Sequence, residues 1–411
     1  MQAADIVFMI ICSAFVMLMT PGLALFYGGM VNRRNVLNTT MHSYTAMILI
    51  SLQWILVGYT LAFGKDQAGL IGGLNFLGLN GVGAAPNVDY AATIPHSLFM
   101  AFQMMFAIIT PALISGAFAE RIKYNVFIIF ILLWATLVYD PLAHWVWGVG
   151  GWIRNMGALD FAGGNVIHIS SGITGLVGAL MLGRRKHRVD EGPHHLPMTI
   201  LGAGLLWFGW FGFNAGSALG VAGDGGAVAV NAFITTNTSA AAGAIGWVIA
   251  ERILTGKIKV LGALSGAVVG LVSITPGAGF VTPMAAIVIG LMGGLICFFA
   301  VSVLKVKFGY DDALDAFGCH GVGGIWGGIA TGLFASKAVN PLGADGLFYG
   351  NPKLLGIQII SILATVLFTS AMTFLILKGI SLFTSLRVDK EDEKVGLDSS
   401  IHGENAYGMN I

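Results

Sequence analysis

The chain has 411 residues, 56% of them hydrophobic and only 10% charged, against roughly 25% charged in soluble domains. That balance excludes an ordinary soluble globule, and a formal net charge of +1 excludes a strongly basic nucleic-acid-binding surface. The 59 glycines, about twice average usage, suit helices packed in a membrane, where small residues let backbones approach closely.

Charged residues punctuate the chain into apolar stretches, each read as a helix spanning a bilayer, which takes about 20 apolar residues. In order, the charge-free stretches are Asp5 to Arg33, Arg34 to Lys65 and Asp89 to Glu120. A shorter span follows between Lys123 and the Asp140 region, then Asp160 to Arg184, Glu191 to Asp224 and Asp224 to Glu251. Lys259 to Lys305 is about twice the length one span needs, with a turn at Pro276-Gly277, and reads as two spans. Asp315 to Lys337 and Lys353 to Lys378 complete a set of eleven. Backbone groups in lipid must be satisfied internally, so the spans are helices. The alternation of a membrane barrel is absent.

Orientation follows from lysine and arginine, which favour cytoplasmic loops. With the N-terminus outside, the inner loops hold Arg33, Arg34, Arg121, Lys123, Arg184, Arg185, Lys186, Arg188, Arg252, Lys257, Lys259, Lys305 and Lys307. Lys378, Arg387, Lys390 and Lys394 join them, while the outer face keeps Lys65, Arg154, Lys337 and Lys353. The first helix has no basic leader and is read as part of the mature protein. Residues 1–386 form the membrane domain, and 387–411 a polar cytoplasmic tail with the C-terminus inside. Two longer external loops cover about residues 65–94 and 336–352. Cys12, Cys297 and Cys319 are scattered in apolar segments and imply neither a disulfide nor a metal framework.

A weak internal repeat organises the bundle. Asp160-Phe-Ala-Gly-Gly-Asn-Val-Ile-His168 and Asp312-Ala-Leu-Asp-Ala-Phe-Gly-Cys-His320 share their Asp-to-His interval, and Gly172 and Gly324, then Gly175 and Gly327, follow at matched offsets. These are helices five and ten. Five helices per half is an odd number, so helices 1–5 and 6–10 form an inverted repeat, with helix 11 added. The fold class is therefore all-α integral membrane. Eight residues rise about 12 Å along a helix, which sets His168 and His320 near the midplane from opposite faces of a core about 30 Å thick.

The other histidines, His42, His96, His144, His187, His194, His195 and His402, fall in loops or near helix ends in this topology. An ionisable residue deep in a membrane helix marks function unless it is simply a buried group bonded to backbone. Two imidazoles sharing a proton would leave one donor and one acceptor edge toward a narrow path. That suits a small neutral hydrogen-bonding solute better than a bare cation. A metal centre is the alternative, yet no HxxH, HxxxH or CxxC pattern is present. Aromatic residues gather where helices three, four and six meet the outer face: Phe102 and Phe106, Trp145 and Trp147, Trp210 and Phe213, with Ser217 beside them. Aromatic faces attract cations, and Ser217 can accept a hydrogen bond. An interfacial aromatic belt gives the same composition, and Trp145 and Trp152 are assigned to it.

At these residues the sequence resembles the ammonium transporter (Amt/Mep/Rh) family, on the Amt side. The resemblance covers almost the whole chain. It rests on Asp160-Phe-Ala-Gly-Gly-Asn-Val-Ile-His-Ile-Ser-Ser-Gly-Ile-Thr-Gly, Phe-Tyr-Gly-Gly-Met at 26–30, Ala-Glu-Arg at 119–121, Gly-Trp-Phe-Gly-Phe-Asn-Ala-Gly-Ser at 209–217 and Gly-Cys-His-Gly-Val-Gly-Gly-Ile at 318–325. It implies a cell-membrane homotrimer that conducts ammonium or ammonia, with one pore per subunit and no enzymatic activity or cofactor. It further implies an outer ammonium site of Phe106, Trp147 and Ser217, supported from behind by Asp160, with Trp210 near the mouth. Beneath lie a stacked gate of Phe106 and Phe213 and then the twin histidines His168 and His320. The tail segments Gly396-Leu-Asp398 and His402-Gly-Glu404-Asn-Ala-Tyr407 are similar to the family's cytoplasmic tail, which contacts a neighbouring subunit and supports regulation by PII-type signal proteins. Asn405 stands where family tails often carry a charge. Three rival readings are a gas or methylamine channel, a metal-dependent membrane enzyme, and an ammonium sensor that transports little.

Overall fold

The computed structural model describes residues 1–186 and 192–408; His187 and Arg188, assigned above to a loop, lie outside that range. Among the described residues eleven helices form the bundle: α1 Ala3–Met30, α2 Val36–Phe63, α3 His96–Phe118, α4 124–147, α5 Gly164–Leu182, α6 Leu196–Gly216, α7 Asp224–Thr255, α8 Val260–Ile274, α9 Pro283–Phe308, α10 317–334 and α11 Pro352–Ser381. By length and composition α1–α6, α9 and α11 suffice to cross a membrane, which makes eight. The other three fall short for stated reasons. α8 has 15 residues, α7 is diluted by Gly, Ala, Asn and Thr, and α10 is rich in glycine. The Pro276-Gly277 turn separates α8 from α9 as the sequence requires.

Corresponding helices of the two halves pack against each other through glycine. A Cβ added at Gly202 of α6 would lie 2.3 Å from the Phe26 amide nitrogen of α1, and one at Gly212 would lie 2.8 Å from the Cys12 carbonyl. Where α5 crosses α10, a Cβ at Gly172 would sit 2.1 Å from the Gly321 nitrogen, and one at Gly324 would sit 3.1 Å from His168 Cβ. The backbones are thus in contact where the two histidines are.

The helix-bearing repeat differs from a straight rise in one respect. α5 begins only at Gly164, four residues after Asp160, and its first turn through Ile169 is a π-turn. α10 likewise opens with a π-turn, Phe317–Gly321, well after Asp312. The physical reason is capping. Asp160 folds back to accept the amides of Gly163, Gly164 and Asn165 at 2.6–2.8 Å, and Asp312 accepts those of Ala316 and Phe317 at 3.0 and 2.7 Å. Each carboxylate therefore satisfies orphan amides at a helix start. The figure of about 12 Å assumed helix throughout, whereas the four residues from each Asp onward are not helical.

The loop before α3 contains a two-residue antiparallel hairpin, Asp66–Gln67 (β1) with Ile71–Gly72 (β2). The tail forms two short helices, α12 Lys390–Val395 and α13 Leu397–His402. It docks along the end of the bundle that carries the Arg-rich loops. Arg387 pairs with Ile122 in an antiparallel bridge, and Asp398 accepts the Asn38 amide at 2.8 Å.

Candidate functional site

A cavity of ≈ 260 Å³ opens at the end of the bundle where α3 starts and α4 and α6 finish, and Phe106, Trp147, Asp160 and Ser217 all line it. Sequence-distant residues expected to share a site are thus brought together. Trp147 is held from behind, its indole N–H donating to the Asp160 carbonyl at 2.9 Å. The Asp160 carboxylate itself is occupied with capping. Ser217 follows the last turn of α6, and its hydroxyl donates to the Phe213 carbonyl at 2.9 Å. The proton being committed, the oxygen's lone pairs are what the hydroxyl can offer a donor.

Phe106 and Phe213, each 1% exposed, close the floor. Their centroids lie 4.5 Å apart at an interplanar angle of 80°. They meet edge to face, which corrects the stacked arrangement expected above; the ring quadrupole favours an edge against a face. Phe102 continues the cluster 4.8 Å from Phe106, also edge to face.

Below this floor the space narrows sharply. A cavity of ≈ 10 Å³ is bounded by His168, His320, Trp210 and Phe213 with aliphatic side chains of α1, α3 and α6, a volume of about one water-sized sphere. It shares His320, Phe26 and Val268 with a second narrow space of ≈ 20 Å³. That space in turn shares Met30 and Leu314 with a polar cavity of ≈ 360 Å³ at the opposite end, which Arg33, Glu120, Arg185 and His194 also line. Four spaces therefore follow one another from end to end of the bundle.

The two histidines face each other Nδ1 to Nδ1 at 3.3 Å, both buried at 1% and 4% exposure. Two Nδ1 atoms share a hydrogen bond only if one is protonated and the other bare. One ring then carries a bare Nε2 and the other an Nε2–H. His168 Nε2 has no protein partner among the described residues. Trp210 stacks on His168 with centroids 5.4 Å apart and donates its indole N–H to Thr275 at 2.9 Å. This corrects its expected place near the mouth: Trp210 sits one helical turn below Phe213, so it lines the narrow space instead.

Some residues escaped the sequence reading. Tyr90, Gln103 and Arg154 line the cavity of Phe106, Trp147 and Ser217, and Arg154 donates to the Trp147 carbonyl at 2.6 Å. Their loop or mixed settings gave no periodic signal. His42, His96 and His144, placed near helix ends from sequence, are nearly fully buried. His144 bonds the Ala62 carbonyl and Asp66, and His96 bonds Tyr59, so both are tied to structural partners. Trp145 and Trp152 pack on each other at 5.6 Å. Among the described residues no group of three or more His, Cys, Asp or Glu could hold a metal ion, and the three cysteines are free.

At the polar end, Arg185 grips Asp311 with two nitrogens at 2.8 and 2.9 Å and Glu120 at 2.6 Å. Burial pushes the Asp311 carboxyl up, but the Arg185 guanidinium overrides this and holds it well below the usual carboxylate range. Asp311 immediately precedes the Asp312 cap of α10, so this clasp anchors the helix that carries His320.

The model of the Ammonium Transporter Family matches residues 7–407. An ammonium transporter of Bacillus subtilis is 60% identical over 99% of this chain and 99% of its own length. Ammonium transporter Amt1 of Archaeoglobus fulgidus is 45% identical over 99% of this chain and all of its own. The crystal structure of Saccharomyces cerevisiae Mep2 is similar at a TM-score of 0.88 and 35% identity, covering 95% of this chain and 88% of that one. A structure titled Sensor Amt Protein is similar at a TM-score of 0.87 and 29% identity, covering 96% of this chain and 97% of that one.

Proposed function

The chain belongs to the ammonium transporter family, whose members named above are membrane transporters rather than enzymes, and from that premise we propose how it moves ammonium. The outer cavity recruits the cation through the faces of Trp147 and Phe106 and the lone pairs of Ser217. Phe106 and Phe213 gate the way down, and the twin histidines line a single-file path beneath. Supporting this reading above all is the 3.3 Å His168–His320 contact in a space too narrow for more than one small molecule.

The energetics favour a division of labour. An ionised group carried bare into a low-dielectric interior costs tens of kcal/mol in the Born limit, whereas a neutral polar group costs roughly 2–7 kcal/mol without its hydrogen bonds. The mouth therefore holds the cation, and the pore passes ammonia or a separated proton. A donor Nε2–H and an acceptor Nε2 complement ammonia's lone pair and N–H groups.

The same reading takes all eleven helices as crossings, with the N-terminus outside the cell membrane and the C-terminus in the cytoplasm. It takes 1–386 as the conducting domain, assembled as a trimer with one pore per subunit, and 387–411 as a regulatory tail. The polar cavity and the docked tail lie at one end of the bundle, where a PII-type signal protein would bind.

The deciding experiment is ammonium-triggered current and uptake in proteoliposomes for wild type, His168→Leu and His320→Leu. Each variant leaves its partner without the shared hydrogen bond, a cost of about 1–3 kcal/mol that a bundle of this size survives. Both are expected to assemble and to lose ammonium rate or selectivity over potassium. Wild-type rate and selectivity in both variants would make the twin-histidine mechanism wrong.

A further inference from the structure

The outer cavity holds a charge that a cation-recruiting mouth does not need. Arg154 is exposed on its wall, in a short helix, Trp152–Met156, that ends at Gly157 in the left-handed region at φ 86°. Its guanidinium does not swing freely. It donates to the main-chain carbonyl of Trp147 at 2.6 Å, the residue whose indole is fixed at its other end by Asp160. No carboxylate lies within 4.0 Å of Arg154 among the described residues. The Asp160 carboxylate on the same wall is turned to three backbone amides, and the third charged residue there, Asp89, is exposed at the rim.

We propose that Arg154 is a charge filter for the outer site: a positive group tethered beside Trp147 that excludes multiply charged cations at a modest cost in ammonium affinity. The proposal rests on the outer-site reading given above. Its physics is the proportionality of Coulomb energy to the charge of the approaching ion. Whatever factor the guanidinium imposes on a monovalent cation, it imposes squared on a divalent one. Ammonium recovers its loss through hydrogen bonds to Ser217 and contact with Trp147. A hydrated divalent ion has no such compensation in an aromatic-walled cavity.

The test compares Arg154→Gln, which keeps an amide donor for the Trp147 carbonyl without the charge, with Arg154→Lys, which keeps the charge. Ammonium-triggered current is measured in proteoliposomes at low ionic strength with magnesium chloride titrated into the external solution. In Arg154→Gln the half-saturating ammonium concentration falls about two- to fivefold, and magnesium becomes an inhibitor at concentrations about 4- to 25-fold lower than in wild type. Both differences collapse near 1 M salt, where screening acts over about 3 Å, and Arg154→Lys stays close to wild type. If Arg154→Gln matches wild type toward ammonium and magnesium, the filter is overturned. If Arg154→Lys behaves like Arg154→Gln, the effect belongs to the shape of the guanidinium hydrogen bond, and the proposal is overturned as well. Trp147→Leu separates the two layers. An unchanged half-saturation there removes the outer site itself, whereas a changed one beside an inert Arg154→Gln removes only the filter.

Discussion

Ser217 illustrates how a single side chain acquires a role from its bonding. With its proton given to the Phe213 carbonyl, the hydroxyl can only accept from a ligand, which suits an ion that has only donors. A hydrogen bond involving a charged group contributes about 1.5–3 kcal/mol when well shielded; in a cavity open to water the lower end applies. Ser217→Ala is therefore expected to raise the half-saturating ammonium concentration about tenfold, and Trp147→Leu about two- to thirtyfold from the loss of a cation–π contact. Thermal unfolding in detergent should hardly change for either. Unaltered concentration dependence in both would count against a cation site at this mouth. That Phe106, Trp147 and Ser217 lie at one end of the bundle was legible from their helices, whereas their grouping around one cavity was an expectation of the family resemblance, since an aromatic belt has the same composition. Trp210 was misplaced because its depth depends on helix phase. It shares a face with Phe213 three residues on, and that rise of about 4.5 Å moves it from the wide cavity to the histidine. Arg154 was invisible as a site residue because its position is set by a loop fold rather than by any sequence period.

At the scale of elements, the matched Asp-to-His intervals correctly announced paired helices, while the π-turns that begin both helices left no signal in the residues. Such turns arise when capping and close packing compete with regular helix geometry, and that competition is tertiary. The glycines carry the sharper consequence. At Gly172 an added Cβ would meet the backbone nitrogen of Gly321 at 2.1 Å, whereas at Gly324 the nearest atoms, Ile169 Cγ1, His168 Cβ and the Ile169 backbone nitrogen, lie farther off at 3.0–3.1 Å. Alanine is favoured over glycine in a helix by about 1 kcal/mol, so any loss must come from the crossing. Gly172→Ala is expected to lower stability in detergent by roughly 1–3 kcal/mol, the usual scale of overpacking, and Gly324→Ala to fold normally. Equal melting of both variants and wild type would refute the close crossing. The Arg185–Asp311 clasp makes a pH statement. The Asp311 carboxyl is held below its unfolded value near 3.9, so its contribution is fully present above that pH and is lost only as pH falls through the lowered folded value. Asp311→Asn should therefore melt below wild type by a constant margin between pH 5 and 8. A margin that vanished at pH 5 would mean that the pair is not ionised as described.

For the whole molecule, all eleven charge-free stretches are helical in the structure, which is what a bilayer's demand for long uncharged helices leads one to expect. Length and hydropathy alone qualify eight, since α8 is short and α7 and α10 exchange bulk for the small residues that let them pack. The two counts make opposite statements about sidedness, and that difference can be measured. With eleven crossings and an external N-terminus, Lys257, between α7 and α8, is cytoplasmic, and Leu342, between α10 and α11, is external. If α7, α8 and α10 did not cross, six helices would precede Lys257 and seven would precede Leu342, which reverses both assignments. Leu342 is 95% exposed and Lys257 is exposed too, so each accepts a cysteine without disturbing packing. In a background with Cys12, Cys297 and Cys319 replaced by alanine, Leu342→Cys is expected to react with a membrane-impermeant maleimide on intact cells. Lys257→Cys is expected to react only after the membrane is opened. Lysine and arginine along the chain argue for the same side: thirteen at the ends of odd-numbered helices or in the loops after them and four more at or beyond the end of α11, against four in or beside the loops of the opposite face, a bias that membrane insertion reads directly. Labelling of both positions from one side, or in the reversed pattern, would overturn the eleven-crossing topology and with it the inverted relation that sets His168 and His320 face to face.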